Sequence, residues 1–194
     1  MEKMPQEIQG FSQVEYLMVF IAIIFGYIGA EYFVGWGTMM RKRRAIREYW
    51  PHIAWTIFAF LLFIQNWYGI WPRAKYINQS IFYFIYSLFP ILLFHLISVV
   101  LFPSFRDKTT DMKAYFYTNS RLLFFFFALY FILAIVSSFV YEDMGNVMVQ
   151  NIIRALGVSL SLLAAWFHKN EKLHIAFLFI GFIALTLFVF ALPR

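Results

Sequence analysis

The chain has 194 residues, of which 62% are hydrophobic, 23% aromatic and only 13% charged, with no cysteine. That balance excludes an ordinary soluble domain, and the lack of thiols excludes disulfides, thiolate metal sites, iron–sulfur clusters and cysteine nucleophiles. The net charge of +6 lies in the connections between apolar runs, without the interleaved aromatics of a nucleic-acid module, so it is a topology signal.

Six apolar stretches follow one another at 14–36, 53–71, 77–102, 122–141, 147–167 and 173–192. At ~1.5 Å rise per residue each is long enough to cross a hydrocarbon core of ~30 Å. The expected fold is all-α: a polytopic transmembrane helical bundle forming one domain over residues 1–194. Ahead of the first stretch, MEKMPQEIQG carries Glu2 and Glu7 beside Lys3 instead of a basic n-region, so that stretch is expected to be a retained span.

The connections alternate in charge. Arg41, Lys42, Arg43, Arg44 and Arg47 follow the first span, Arg106, Lys108, Lys113 and Arg121 the third, and Lys169 and Lys172 the fifth. The other side holds Lys3, Arg73, Lys75, Arg154 and Arg194, with the acidic pair Glu142 and Asp143. The positive-inside rule then puts both termini outside and the RKRR loop in the cytoplasm. Arg41–Arg47 is read as contacting anionic lipid headgroups, at about 1 kcal/mol per basic residue. Trp36, Trp50, Trp55, Trp67 and Trp71 fall near predicted interfaces as an aromatic belt.

Helix faces that pack on protein in a bilayer are marked by small residues. Gly157, Ser161 and Ala165 recur at four-residue spacing in span five, with Arg154 on the same face, and Gly26 and Ala30 suggest a contact for span one. Phe124–Phe127 wraps a full turn and cannot be confined to one face. Spans one to three and four to six would be inverted copies, as in many transporters, although only the closing LFP 101–103 and ALP 191–193 support a repeat. Pro90 is expected to kink span three.

Polar side chains at membrane depth fall into two layers. Arg154, Gln65, Asn66 and Tyr86 lie at similar depth, with Glu15 nearer the surface, as an outward-facing polar pocket. Arg154 is read there either as an anion clamp or as half of a salt bridge to Glu15 or Glu142. From the other side, Glu31 and His95 are placed to meet as a buried pair, suited to a proton relay or to a structural hydrogen bond. His52, His168 and His174 sit at helix ends without metal-ligand spacing, so neither metal nor cofactor is assigned. No Ser/His/Asp catalytic set is evident.

The runs EYWPHIAW 48–55, QNWYGIW 65–71, LFP 101–103 and MKAYFYTNSRLLF 112–124 resemble a family of small, uncharacterised multi-pass bacterial integral membrane proteins. The resemblance covers roughly half of the chain and implies a bacterial inner membrane and a compact helical bundle, with no activity attached. Three functions remain open from the residues. The first is a small channel or transporter for ions or a polar solute, with or without proton linkage, and the second a structural, sensor or accessory protein acting through a homo-oligomer or partner membrane protein. The third is a membrane enzyme on lipid or quinone using His52, His168, Glu171 and His174.

Overall fold

The computed structural model describes residues 12–104, 110–141 and 148–190. Its helices are α1 (Gln13–Arg41), α2 (Trp50–Ile70), the one-turn α3 (Ala74–Ile77), α4 (Ile81–Leu101), α5 (Met112–Val140), α6 (Met148–Trp166) and α7 (Glu171–Phe190). With α2 and α3 taken as one run, six helical segments among the described residues are long and apolar enough to cross a membrane. This is the build of an all-α, multi-pass membrane protein. Large apolar side chains such as Ile23, Phe33, Phe89, Phe125 and Ile183 point outward, as a lipid solvent permits.

Local chemistry sets where the helices begin. Ser12 and Glu15 close a capping box at the start of α1, Pro51 sits in the first turn of α2, and Ser80 accepts from the Phe82 amide at the head of α4. Asp111 accepts from the amides of Lys113 and Ala114 at 2.9 and 3.0 Å, which starts α5 ten residues before the apolar run at 122. The expected polar connection is shorter for that reason. At the other boundary, α1 continues five residues past Trp36 to Arg41.

The connections after α1 and α4 meet at one end of the bundle. There β1 (Ile46–Arg47) and β2 (Thr110–Asp111) form a short parallel pair, and Arg47 reaches the Asp111 carboxylate at 3.6 Å. Arg47 therefore has a protein partner besides its exposure to headgroups. The His168 turn shares this end, since Ser120 Oγ donates to the His168 carbonyl at 3.2 Å. We call it the basic end. Arg106 and Lys108 lie outside the described residues.

α2, α4, α5, α6 and α7 form a ring of consecutive neighbours closed by α7 on α2, and α1 packs outside it on α4 and α2. In the first three spans every pair of helices packs along its length, whereas α5 and α7 meet through side chains at the basic end, where Phe124 stacks on His174. The two halves of the chain thus pack differently.

Aromatic stacking fills the junction between α1, α2, α4 and α5. Phe25 stacks on Phe63 with centroids 3.7 Å apart, Phe63 meets Phe94 edge-on, and Phe94 meets Tyr130 at 4.8 Å. Phe124 and Phe127 are buried while Phe125 faces out, so the Phe run is split between faces. Trp55 is 4% exposed and packs edge-on against Phe124. It belongs to the core and not to the interfacial belt, because the helix turns it toward α5. Trp50 and Trp71 remain exposed at helix ends.

Close helix approaches run through glycines, though not all the expected ones. Gly157 faces the Phe131 ring, where an added Cβ would lie 2.9 Å away, and Ser161 and Ala164 are buried on neighbouring turns. Ala165 is half-buried beside them. In α1 the contact is made by Gly29 and Gly35, whose faces meet Phe63 and Phe102, while Gly26 has open space and Ala30 is exposed. The buried stripe Ile21, Phe25, Ile28, Tyr32 fixes that rotation of α1.

A Cβ at Gly35 would lie 2.5 Å from the Phe102 ring. Gly35→Leu is expected to destabilise the purified protein by roughly 1–3 kcal/mol through overpacking, whereas Gly26→Leu should leave its thermal unfolding in detergent nearly unchanged. Equal effects would contradict this rotation of α1. The Asp111 carboxyl is held below its ordinary 3.8, first by its hydrogen bond from the Ala114 amide. A depressed folded-state pKa stabilises above the unfolded value and loses that contribution as pH falls through the folded one. Acidification below the carboxylate range should therefore lower the melting temperature less in Asp111→Asn than in the parent chain.

Candidate functional site

The ring of five helices surrounds a chamber of about 1220 Å³, walled by α2 to α7 and open in part to the outside. It follows α2 from Trp55 to Ile70, a distance of about 20 Å at the helical rise. Its two ends differ in chemistry. Toward the basic end the walls are Trp55, Phe58, Phe124, Phe127 and Phe177, and toward the opposite end they carry Gln65, Asn66, Arg73, Tyr86, Tyr141, Gln150 and Arg154. Among the described residues, no carboxylate lines it.

Four of the residues expected to form a polar pocket, Gln65, Asn66, Tyr86 and Arg154, line this one cavity. Glu15 does not join them. Its carboxylate accepts from the Ser12 amide at 2.7 Å, so it serves the start of α1, which lies outside the ring. The expected Arg154–Glu15 salt bridge is therefore not made, and Glu142 lies outside the described residues.

Arg154 is held by neutral oxygens. Its Nη1 donates to Ser138 Oγ at 3.0 Å and Asn151 Oδ1 at 2.8 Å, its Nη2 to Gln150 Oε1 at 3.3 Å, and its guanidinium lies 5.7 Å from the Phe188 ring centroid. Arg73 lies over the Tyr141 ring at 5.1 Å. Asn66 Nδ2 is buried without a hydrogen-bond partner, an unsatisfied donor on the chamber wall. Tyr86 donates to the Leu133 carbonyl at 2.9 Å, tying α4 to α5. Pro90, also on the wall, offers no N–H to the Tyr86 carbonyl one turn earlier.

Glu31 and His95 meet elsewhere. His95 Nδ1 and Glu31 Oε2 are 2.8 Å apart, and Ser98 Oγ donates to the same oxygen at 2.7 Å. The side chains are 35% exposed for His95 and 25% for Glu31, so the pair is half-buried. Glu31 and Ser98 open onto a groove of about 410 Å³ between α1 and α4, lined also by Ala30, Gly35 and Thr38. This groove lies outside the ring, and the two polar layers do not share a cavity.

Two of the remaining histidines act as caps. His52 Nε2 lies 2.8 Å from the Leu101 carbonyl at the end of α4, and His174 Nε2 lies 2.9 Å from the His168 carbonyl beyond α6. Both rings are buried, and each satisfies a carbonyl that a helix end leaves open. Nearby, Tyr49 donates to Glu171 Oε1 at 3.1 Å, and Lys113 Nζ donates to Glu171 Oε2 at 2.6 Å. Burial raises the Tyr49 phenol above its usual range, with hydrogen bonds to Tyr117 and Glu171 adding to the shift. Among the described residues, no three His, Asp or Glu side chains are grouped to hold a metal. Of the residues named for an enzyme reading, His52, His174 and Glu171 hold helix ends together, whereas His168 contributes its backbone carbonyl.

Arg73, Gln150, Tyr130 and Tyr141 line the chamber without being singled out by the sequence. Arg73 follows Pro72 at the end of an apolar run and reads as a connection residue; the bend through Trp71–Arg73 folds it back over Tyr141. Ser98 is legible one turn after His95, on the same helix face. Comparison with protein-family models, curated proteins and solved structures finds no match to this chain.

The Glu31–His95 contact couples α1 to α4. A double-mutant cycle of Glu31→Ala and His95→Ala, read by unfolding in detergent, should show a coupling of about 1 kcal/mol. A coupling near zero would mean that the pair does not hold the helices together.

Proposed function

We propose that this chain is a small transport-type bundle of the bacterial cytoplasmic membrane, whose ligand site is the chamber inside the five-helix ring. The observation that carries this reading is the chamber itself, about 1220 Å³ and bounded by five spans. A passive anchor needs no such cavity, and ligand sites between the helices of a bundle are a recurrent arrangement. The walls support a solute with an apolar body more than a hydrated ion, because Trp and Phe side chains cannot replace a hydration shell. Proton linkage through Glu31 and His95 gains no support from their place outside the ring.

The basic end is proposed to face the cytoplasm, from the concentration of Arg and Lys in the connections there. The family resemblance supports the bacterial setting. Arg41, Lys42, Arg43 and Arg44, exposed at that end, suit contact with anionic headgroups.

A second reading, an accessory protein acting through a partner or another copy, is favoured by the α1–α4 groove. A half-exposed carboxylate and imidazole on an outer face are costly against lipid and gain from being covered.

The two readings separate in liposomes. Purified protein should speed the transbilayer movement of a fluorescent amphiphile, and Ala184→Phe, which adds bulk to the chamber wall, should slow it about tenfold. Glu31→Gln should leave the rate within about twofold of the parent chain. Movement no faster than in protein-free liposomes would sink the transport reading and favour the accessory one.

A further inference from the structure

Resting on the chamber as a ligand site, we infer that its occupant is a single-chain amphiphile with an anionic head, a carboxylate or phosphate. The head sits at the Arg73 end and the chain runs toward Trp55 and Phe124. Size and charge point the same way.

At about 1220 Å³ the cavity exceeds the ~300–1,000 Å³ of ordinary small-molecule sites, and its length along α2 suits an extended chain. Charge is segregated along that length. Among the described residues two guanidinium groups and no carboxylate line the polar end, and the Arg73 cation would be stabilised by an anion beside it. The two arginines differ in role. Arg154 is fixed in place by Ser138, Asn151 and Gln150, so it supplies a positive field. Arg73 is held by its face against Tyr141, an arrangement that leaves the edge of the guanidinium fork for carboxylate or phosphate oxygens. At the other end, Phe58, Phe124, Phe127 and Phe177 offer an acyl or isoprenoid chain apolar contact.

The test is binding to the full chain in nanodiscs of zwitterionic lipid, using radiolabelled palmitate and farnesyl phosphate, with hexadecanol and farnesol as neutral partners. Each anionic probe should bind about tenfold or more tightly than its alcohol. Preference for palmitate alone would identify a carboxylate head, and for farnesyl phosphate alone a phosphate head; either supports the inference. Arg73→Gln should remove the preference while alcohol binding stays unchanged, which also reports that the variant is folded, and Arg73→Lys should keep most of it. Alcohols binding as tightly as the anionic probes would overturn the anionic ligand class while leaving the chamber as a site. A preference that survives in Arg73→Gln would overturn the placement of the head. If none of the four probes binds, the chamber reading falls, and the inference with it.

Discussion

Hydrocarbon offers no hydrogen bonds, so each backbone carbonyl and amide at membrane depth must find its partner within the protein. Helices meet that demand along their length and fail at their ends, where the last turn leaves carbonyls open. At the basic end this structure answers with side chains from neighbouring helices. Tyr115 donates to the Val100 carbonyl and His52 contacts that of Leu101, so α5 and α2 close the end of α4. Ser120 and His174 likewise bring α5 and α7 onto the His168 carbonyl beyond α6. Five helix ends are thereby pinned together, and the Tyr49–Glu171–Lys113 cluster joins them across the rim.

The chamber lies inside the ring of helices tied in this way. Small residues decide where they approach. Gly157 admits the Phe131 ring between α6 and α5, and Gly181 admits Phe58 where α7 returns to α2. That return turns a row of helices into a ring. α1 stays outside, held by the Phe25–Phe63 stack and by the Trp36 indole, which donates to Thr56 at 2.8 Å.

This division separates two kinds of buried polarity. Inside the ring, polar groups gather at one end of an apolar cavity, where Arg154 rests on neutral oxygens and Arg73 on an aromatic face. Outside it, Glu31, His95 and Ser98 satisfy one another across two helices. The first borders a large cavity; the second is a tie between spans, open to a shallow groove.

Much of this was legible in the residues. Hydropathy alone gave six spans, because the bilayer's thickness dictates a run of apolar residues that nothing else in the chain requires. Depth counting at the helical rise placed Glu31 level with His95, and Arg154 level with Gln65, Asn66 and Tyr86, since rise per residue is nearly constant. Rotation was harder to read. Gly26 and Gly29 are equally small, and only the stripe of larger side chains around Gly29 turns it inward; Glu15 was at a plausible depth but on the helix outside the ring. The sequence by itself determined which segments span the membrane and at what depth each polar group lies, because both follow from one-dimensional properties of a helix. Only the tertiary structure decided which polar groups share a cavity and that the ring closes, because those depend on helix azimuth and neighbour order, which arise from side-chain packing between segments far apart in the chain.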